Sequence, residues 1–237
     1  MEKLSRLAGL NQLAGLELDT HQILTRWISM GKGRMKNLNE KELDKMCAIG
    51  RAAARLFDEK GYLETSLRDI SNSAKLSKGG IYHYFSSKHD ILYFILDNYM
   101  EMLLAGLEEA LKGIADSPSK IRYIVFRHLR LYNKKVPEAK ALLIESHNLP
   151  KKYFRAIAEK QKQYAQITIN VLSDLFGGRM PTDKLKAISY TLFGMCNSIM
   201  YWYDPKGPVS LEELSQIVYD IFMKGVASYR DGQEKIY

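Results

Sequence analysis

The chain has 237 residues, 46% of them apolar, and a formal net charge of +8. That length and apolar content suit one or two packed domains, and no apolar run approaches the ~18 residues of a membrane-spanning helix. Residues 1–95 carry 15 Lys and Arg against 11 Asp and Glu, and the remainder 20 against 16, so net charge marks neither half for an acidic partner.

At the N-terminus no compact apolar core precedes a small-residue cleavage site, so no signal peptide is expected and the protein is read as cytoplasmic. Residues 1–38 form an extension. Leu4, Leu7, Leu10 and Leu13 recur every three residues, and Ile23, Trp27 and Ile28 form a second apolar set. Each set suits a short amphipathic helix. Residues 31–36 read as a flexible basic linker. Two readings of the extension stand: a basic arm that touches the minor groove, or upstream sequence ahead of a start at Met35. Asn39 and Glu42 then pair as a capping box for a helix to about Lys60. Its apolar stripe is Leu43, Met46, Ile49, Ala53, Leu56 and Phe57, and Gly61 supplies the left-handed residue after its end.

Thr65 to His89 divides into two short helices around a tight break. Thr65 or Ser66 caps the first, with Asp69 completing a capping-box pair, and Leu67, Ile70 and Ala74 share one face. The break is Lys75-Leu76, with Leu76 expected to be buried and to fix the angle. Ser77 caps a second helix from Lys78 to about Tyr84. This is the pattern of a helix-turn-helix, whose second helix enters the major groove. From Lys75 to His89 there are three lysines, two histidines, five hydroxyls and no carboxylate. Lysines and hydroxyls are the usual donors to phosphate. Gly79 and Gly80 each cost about 1 kcal/mol in a helix relative to alanine, which points to a close approach by a base edge or phosphate. Lys78, Gly79, Gly80 and His83 are expected to face base edges, with Arg68 reaching a base from the preceding helix. Ser66, Ser77, Tyr82, Tyr84 and Lys88 are expected to position phosphates.

The stretch Gly61–Leu92 resembles the DNA-binding signature of the TetR family of bacterial transcription repressors. Gly61, Ser66, Ile70, Ala74, Leu76, Ser77, Lys78, Gly79, Ile81, Tyr82, Tyr84, Phe85, Lys88 and Leu92 stand at the family's spacing. The resemblance runs from Lys41 to Leu92. It departs at Gly80, where many relatives carry Thr or Ser, and at Lys75, where Gly is common; both departures bear on base preference. The resemblance implies a ligand-responsive regulator that binds a palindromic operator in duplex DNA.

Downstream, Ser87 opens a helix expected to run to about Gly113, and Asp116–Ser119 breaks it. Helices are expected at about 119–133 and 137–146, from Pro150 to Phe176, from Thr182 to about Tyr203, and from Ser210 to about Arg230. No alternating strand pattern occurs. The chain therefore reads as all-α: a helix-turn-helix domain over 39–86 and a larger helical ligand-binding and dimerisation domain over 87–237. The last two helices are rich in apolar residues, among them Leu192, Phe193, Ile221 and Phe222, and Gly194 and Gly225 allow close approach. They suit the domain's own core or, as the resemblance implies, a homodimer. A dimer also suits a short recognition helix, because two half-sites are then read together.

Between Tyr99 and Tyr203 aromatic residues alternate with polar ones, including Arg122 and His128. Phe126, Glu145, His147, Arg155, Tyr164, Phe193, Asn197 and Tyr201 are the candidate ligand contacts of a largely apolar pocket. No metal site is expected, because His128 and His147 lack ligand spacing. No cofactor motif or catalytic constellation occurs, so no enzyme is expected. A ligand-independent DNA-binding protein is the remaining alternative. Cys47 and Cys196 are read as buried thiols of a reducing compartment, against a disulfide or a sensor thiol. The segment from Met200 to Val226 is similar to TetR-family repressors of fatty-acid, aromatic or steroid breakdown, which often answer to acyl-CoA thioesters. That similarity, with the cations Arg122, Arg127, Arg130, Lys151, Lys152 and Arg155, suggests an acyl-CoA inducer. A neutral drug-like compound is the second reading.

Overall fold

The structure, a computed structural model, describes residues 40–230. The N-terminal extension, the basic linker and the Asn39 cap lie outside the described residues. Every regular element among the described residues is a helix. They are α1 (Glu40–Lys60), α2 (Leu67–Ser73), α3 (Lys78–Tyr84), α4 (Lys88–Leu104), α5 (Leu107–Lys112), α6 (Ser117–Lys134) and α7 (Val136–Lys140). A π-helical turn (Ala141–Glu145) and a 3-10 turn (Ser146–Asn148) lead to α8 (Lys151–Leu175). Then come α9 (Thr182–Asn197), a 3-10 turn (Ser198–Tyr201) and α10 (Leu211–Arg230). None of these helices is long and apolar enough to cross a membrane.

The described residues fall into two compact units. The first contains 40–105 and 135–161, so the helix-turn-helix shares a unit with α7 and the start of α8. The second contains 106–134 and 162–230.

In the first unit α1 buries Leu43, Met46, Ile49, Ala53 and Phe57 of the expected stripe, while Leu56 is half-buried. Gly61 ends it with φ +90° and donates its N–H to the Phe57 carbonyl at 3.0 Å. The positive φ calls for glycine; a Cβ there would lie 2.6 Å from Glu64 Oε2, the end of an exposed side chain that can move aside. Ile70 of α2 and Ile81 of α3 are both fully buried, and each contributes roughly 1.5–3 kcal/mol by leaving water. Between them the chain makes a Schellman turn. The Lys75 N–H donates to the Asn72 carbonyl and the Leu76 N–H to the Ser71 carbonyl, at 3.2 and 2.9 Å. Lys75, with φ +56°, holds the left-handed position normally given to glycine. Leu76 is only half-buried. The turn angle is therefore fixed by this backbone pairing, contrary to the expectation that Leu76 fixes it by burial.

The helix expected to reach Gly113 stops at Leu104. Gly106, at φ +65°, reverses the backbone and starts α5. The helix expected over 137–146 is interrupted too, passing from α7 into wider and then tighter turns. The start of α8 is tied to α4 by polar contacts. The Tyr153 hydroxyl donates to Asp90 at 2.8 Å, and its ring stacks on Tyr93 at 4.3 Å. Lys160 bridges Asp97 at 2.6 Å and Glu101 at 2.5 Å. Asp97 is buried, so removing the Lys160 charge would cost about 3–5 kcal/mol.

In the second unit α10 packs along α6 and against α9. Leu192, Phe193 and Phe222 are buried in this core. Their apolar character therefore serves the protomer itself. The outward faces carry Tyr190 on α9 and Ile217, Ile221 and Tyr229 on α10, all exposed.

Candidate DNA-binding surface and ligand seam

The helix-turn-helix is built by local caps. Ser66 and Asp69 form the reciprocal capping box, and Lys60 adds an ion pair to Asp69 at 2.9 Å. Backbone and side-chain hydrogen bonds from Ser66 hold the Asp69 carboxyl well below the usual range. Ser77 accepts the Gly80 N–H at 3.0 Å and so starts α3. The hydroxyl proton of Ser77 stays available to a phosphate oxygen.

Arg68, Ser77, Lys78, Gly79, Tyr82 and His83 are all exposed, and Gly80 is half-exposed. Lys78 lies over the Tyr82 ring at 5.9 Å. His83 stands 3.9 Å from Glu42, the nearest carboxylate partner it has. A Cβ on Gly79 would touch nothing nearer than Ser77 Oγ at 3.9 Å. The protein's own packing does not demand glycine there.

Three expected phosphate donors have other duties. Lys88 directs its ammonium inward, donating to the carbonyls of Tyr62, Thr65 and Leu63 at 2.6, 2.8 and 3.3 Å. It also sits over the Tyr62 ring at 4.2 Å, and burial lowers its pKa. Its three protons are thus committed to the turn after α1. Ser66 gives its one hydroxyl proton to Asp69 Oδ2 at 2.8 Å. Tyr84 is 9% exposed and turns into the domain core with Ile81. Spacing could not separate these roles, because a cap, a core ring and a phosphate donor use the same side chains.

The candidate ligand residues divide in the same way. Glu145 accepts the Tyr62 N–H at 3.2 Å and an Asn148 amide N–H at 2.8 Å. It clips the π-helical turn to the helix-turn-helix. His147 and Arg155 are exposed in that unit. Tyr201, in the second unit, is 79% exposed. Arg122 hydrogen-bonds Gln216 and stacks on Tyr219, with its guanidinium carbon 4.1 Å from the ring centroid. Phe126 is buried in the second unit.

Tyr164, Phe193 and Asn197 do come together there, around His128. The His128 ring is buried, 3.0 Å from Asn197 Oδ1 through Nε2 and 3.2 Å from Tyr164 Oη through Nδ1. With the Asn197 oxygen accepting, Nε2 carries the proton and Nδ1 accepts from the tyrosine hydroxyl. Burial lowers the His128 pKa to about 4, against a smaller opposing effect from Asn197. The imidazole is therefore neutral at pH 7. Phe193 touches both rings, at 5.6 Å from His128 and 5.0 Å from Tyr164. The imidazole at the centre of this buried seam is thus uncharged, while the buried Arg127 lies near enough to influence Tyr164. Thr168 and Ser189, absent from the expected set, are fully buried on the same two helices. Their spacing of four from Tyr164 and Phe193 was the signal that could have found them. Among the described residues no His, Cys, Asp or Glu cluster could hold a metal ion.

Two family descriptions match the chain: "Bacterial regulatory proteins, tetR family" over residues 49–93 and "Tetracyclin repressor-like, C-terminal domain" over residues 115–226. The chain belongs to the TetR family. This TetR-family chain is similar to the repressor KstR2 of Mycolicibacterium smegmatis, with 25% identity over 185 residues, 73% of this chain and 86% of that protein. A TetR-family regulator from Bordetella parapertussis superposes with a TM-score of 0.72 at 27% identity, over 75% of this chain and 93% of its own. AibR, solved with isovaleryl coenzyme A and operator DNA, shares the fold at a TM-score of 0.66 and 22% identity, over 75% and 97% of the two chains. The TetR-family chain is accordingly a DNA-binding transcription regulator with a helix-turn-helix.

Proposed function

We propose that this regulator is a repressor that grips a palindromic operator as a homodimer and is released by a small, mainly apolar ligand. The exposed surface of α3 carries this reading: Lys78, Tyr82 and His83 stand outward beside Gly79, over which the chain leaves open space. A base edge or phosphate can approach that backbone closely. Lys78, Gly79, Gly80, His83 and Arg68 then face bases, and Ser77 and Tyr82 hold phosphates. The operator is duplex DNA in the cytoplasm.

Dimerisation through the last two helices is supported by what lies outward there. Ile217, Ile221 and Gly225 follow one another at intervals of four on α10, and Tyr190 and Gly194 do so on α9. A Cβ on either glycine would meet nothing within 4 Å. Exposed apolar side chains beside open glycines suit close helix packing against a second copy. The ligand enters the seam around His128. An acyl-CoA thioester is favoured, since AibR was solved with isovaleryl coenzyme A; a neutral apolar compound is the second reading, supported by the neutral imidazole of His128. A ligand that prefers one spacing of the two recognition helices lowers DNA affinity by population shift.

Selection of bound sequences from random duplex DNA tests the proposal. The expected result is a palindrome whose half-sites lie about one helical turn apart, roughly 34–36 Å. Selection of a single asymmetric half-site, or of no sequence at all, would refute it.

A further inference from the structure

Among the buried hydroxyls of the second unit, those of Tyr123 on α6, Thr168 on α8 and Ser189 on α9 have no hydrogen-bond partner. All three residues are 0% exposed. An unpaired buried hydroxyl forgoes the hydrogen bonds it makes in water and is destabilising. Native proteins leave few such groups, so three in one unit need a reason.

Helical geometry places two of them at one level. Thr168 stands one turn after Tyr164 on α8, and Ser189 one turn before Phe193 on α9. The rings of Tyr164 and Phe193 are in contact at 5.0 Å. The short connection 176–181 returns the chain in the opposite direction, and the Tyr164–Phe193 contact sets the register of α8 against α9. In that arrangement the turn after Tyr164 meets the turn before Phe193, so Thr168 and Ser189 stand at one level. Burial is the main influence on the Tyr164 hydroxyl, and Cys196, Arg127 and Tyr123 all lie near enough to affect it. The helix of Tyr123 also carries His128, which joins Tyr164 and Asn197. The imidazole is neutral, and the one buried cation of that helix, Arg127, lies near Tyr164 and already interacts within the protein, so the hydroxyls are the groups a ligand would pair.

We infer that this seam receives the uncharged, oxygen-bearing end of a mainly apolar ligand, whose ketone or hydroxyl oxygens pair with Tyr123, Thr168 and Ser189. A ketone oxygen accepts from two hydroxyls, and a ligand hydroxyl donates to one and accepts from another. A plain saturated acyl group would leave all three unpaired, so the seam selects against it. The inference rests on the ligand-released reading above. If the ligand is a thioester, its acyl group is the end that enters.

The test uses the full chain bound to its selected operator. The probes are cyclohexylacetyl-CoA, its ring-keto and ring-hydroxy counterparts, and the three corresponding free acids. The concentration releasing half of the DNA is measured for wild type and for Thr168→Val/Ser189→Ala. The oxygenated thioesters should act at concentrations at least about tenfold lower than the plain one, and the double variant should bring that ratio near one. Because the ratio is taken within one protein, any change in DNA affinity cancels. If all three thioesters act equally, the acyl-CoA reading survives and the inference fails. If only the free acids act, with the same oxygen preference lost in the variant, the thioester reading fails and the inference holds. If no probe acts, or the preference persists in the variant, the inference is overturned. Ligand-free stability gives a second measure: removing unpaired hydroxyls should raise Tm. A fall in Tm would mean that the hydroxyls are paired inside the protein, and would overturn it too.

Discussion

Replacing Lys88 by Met keeps the length and apolar stem of the side chain and removes only the ammonium. In the native turn that ammonium satisfies three carbonyls, and the bonds to Tyr62 and Thr65, at 2.6 and 2.8 Å, are partly buried. A charged hydrogen bond contributes about 1.5–3 kcal/mol net, so these two contribute about 3–6 kcal/mol. Burial of the ammonium, which lowers its pKa, offsets part of this. The bond to Leu63 is exposed and longer, at 3.3 Å, and its carbonyl can turn to water. The expected loss of stability is about 2–4 kcal/mol, or roughly 5–15 °C in Tm for a chain of this size. Thermal unfolding by circular dichroism measures it. Anisotropy titration of operator DNA at several salt concentrations, well below the lowered Tm, supplies the second readout. A lost phosphate contact reduces the salt slope by about one. The structure requires the opposite pattern, a lower Tm with an unchanged slope. An unchanged Tm with a slope reduced by one would refute the inward clamp and return Lys88 to the phosphate set.

His128 should make stability depend on acid. Its folded pKa of about 4 lies below its ordinary value, so the unfolded chain binds the proton first. The stability it confers is complete above about pH 6.5 and falls by up to about 3 kcal/mol as pH drops toward 4. His128→Phe should flatten denaturant midpoints over that window, and an equally steep profile in the variant would assign the loss elsewhere. Lys75→Gly should relieve the left-handed strain of about 1–2 kcal/mol, less the greater entropy of glycine. A net gain of roughly 0.5–1 kcal/mol is expected by chemical denaturation, and Lys75→Val should destabilise; the reverse order would show that the turn carries no strain. Ile221→Glu places a charge on the exposed apolar face of α10 and should split the proposed dimer in light scattering with helix content unchanged. A folded dimer in that variant would put the interface elsewhere.

Local signals in the sequence determined the helix-turn-helix. Gly61, the Ser66–Asp69 box and the Ser77 cap are read from neighbouring residues, and each is where its spacing puts it. The apolar stripe of α1 was legible for the same reason, since a helix fixes which residues share a face. What spacing cannot decide is the partner of a versatile side chain. Lys88, Tyr84 and Glu145 have the chemistry of phosphate or ligand contacts, yet the fold gives them to backbone carbonyls, to the core and to the Tyr62 N–H. The break at Gly106 was hidden as well, because apolar residues on both sides continue the helical period across it. The seam around His128 exists only in three dimensions. Its members come from α6, α8 and α9, and only packing could show which of many aromatic and polar residues meet there and which hydroxyls remain without a partner.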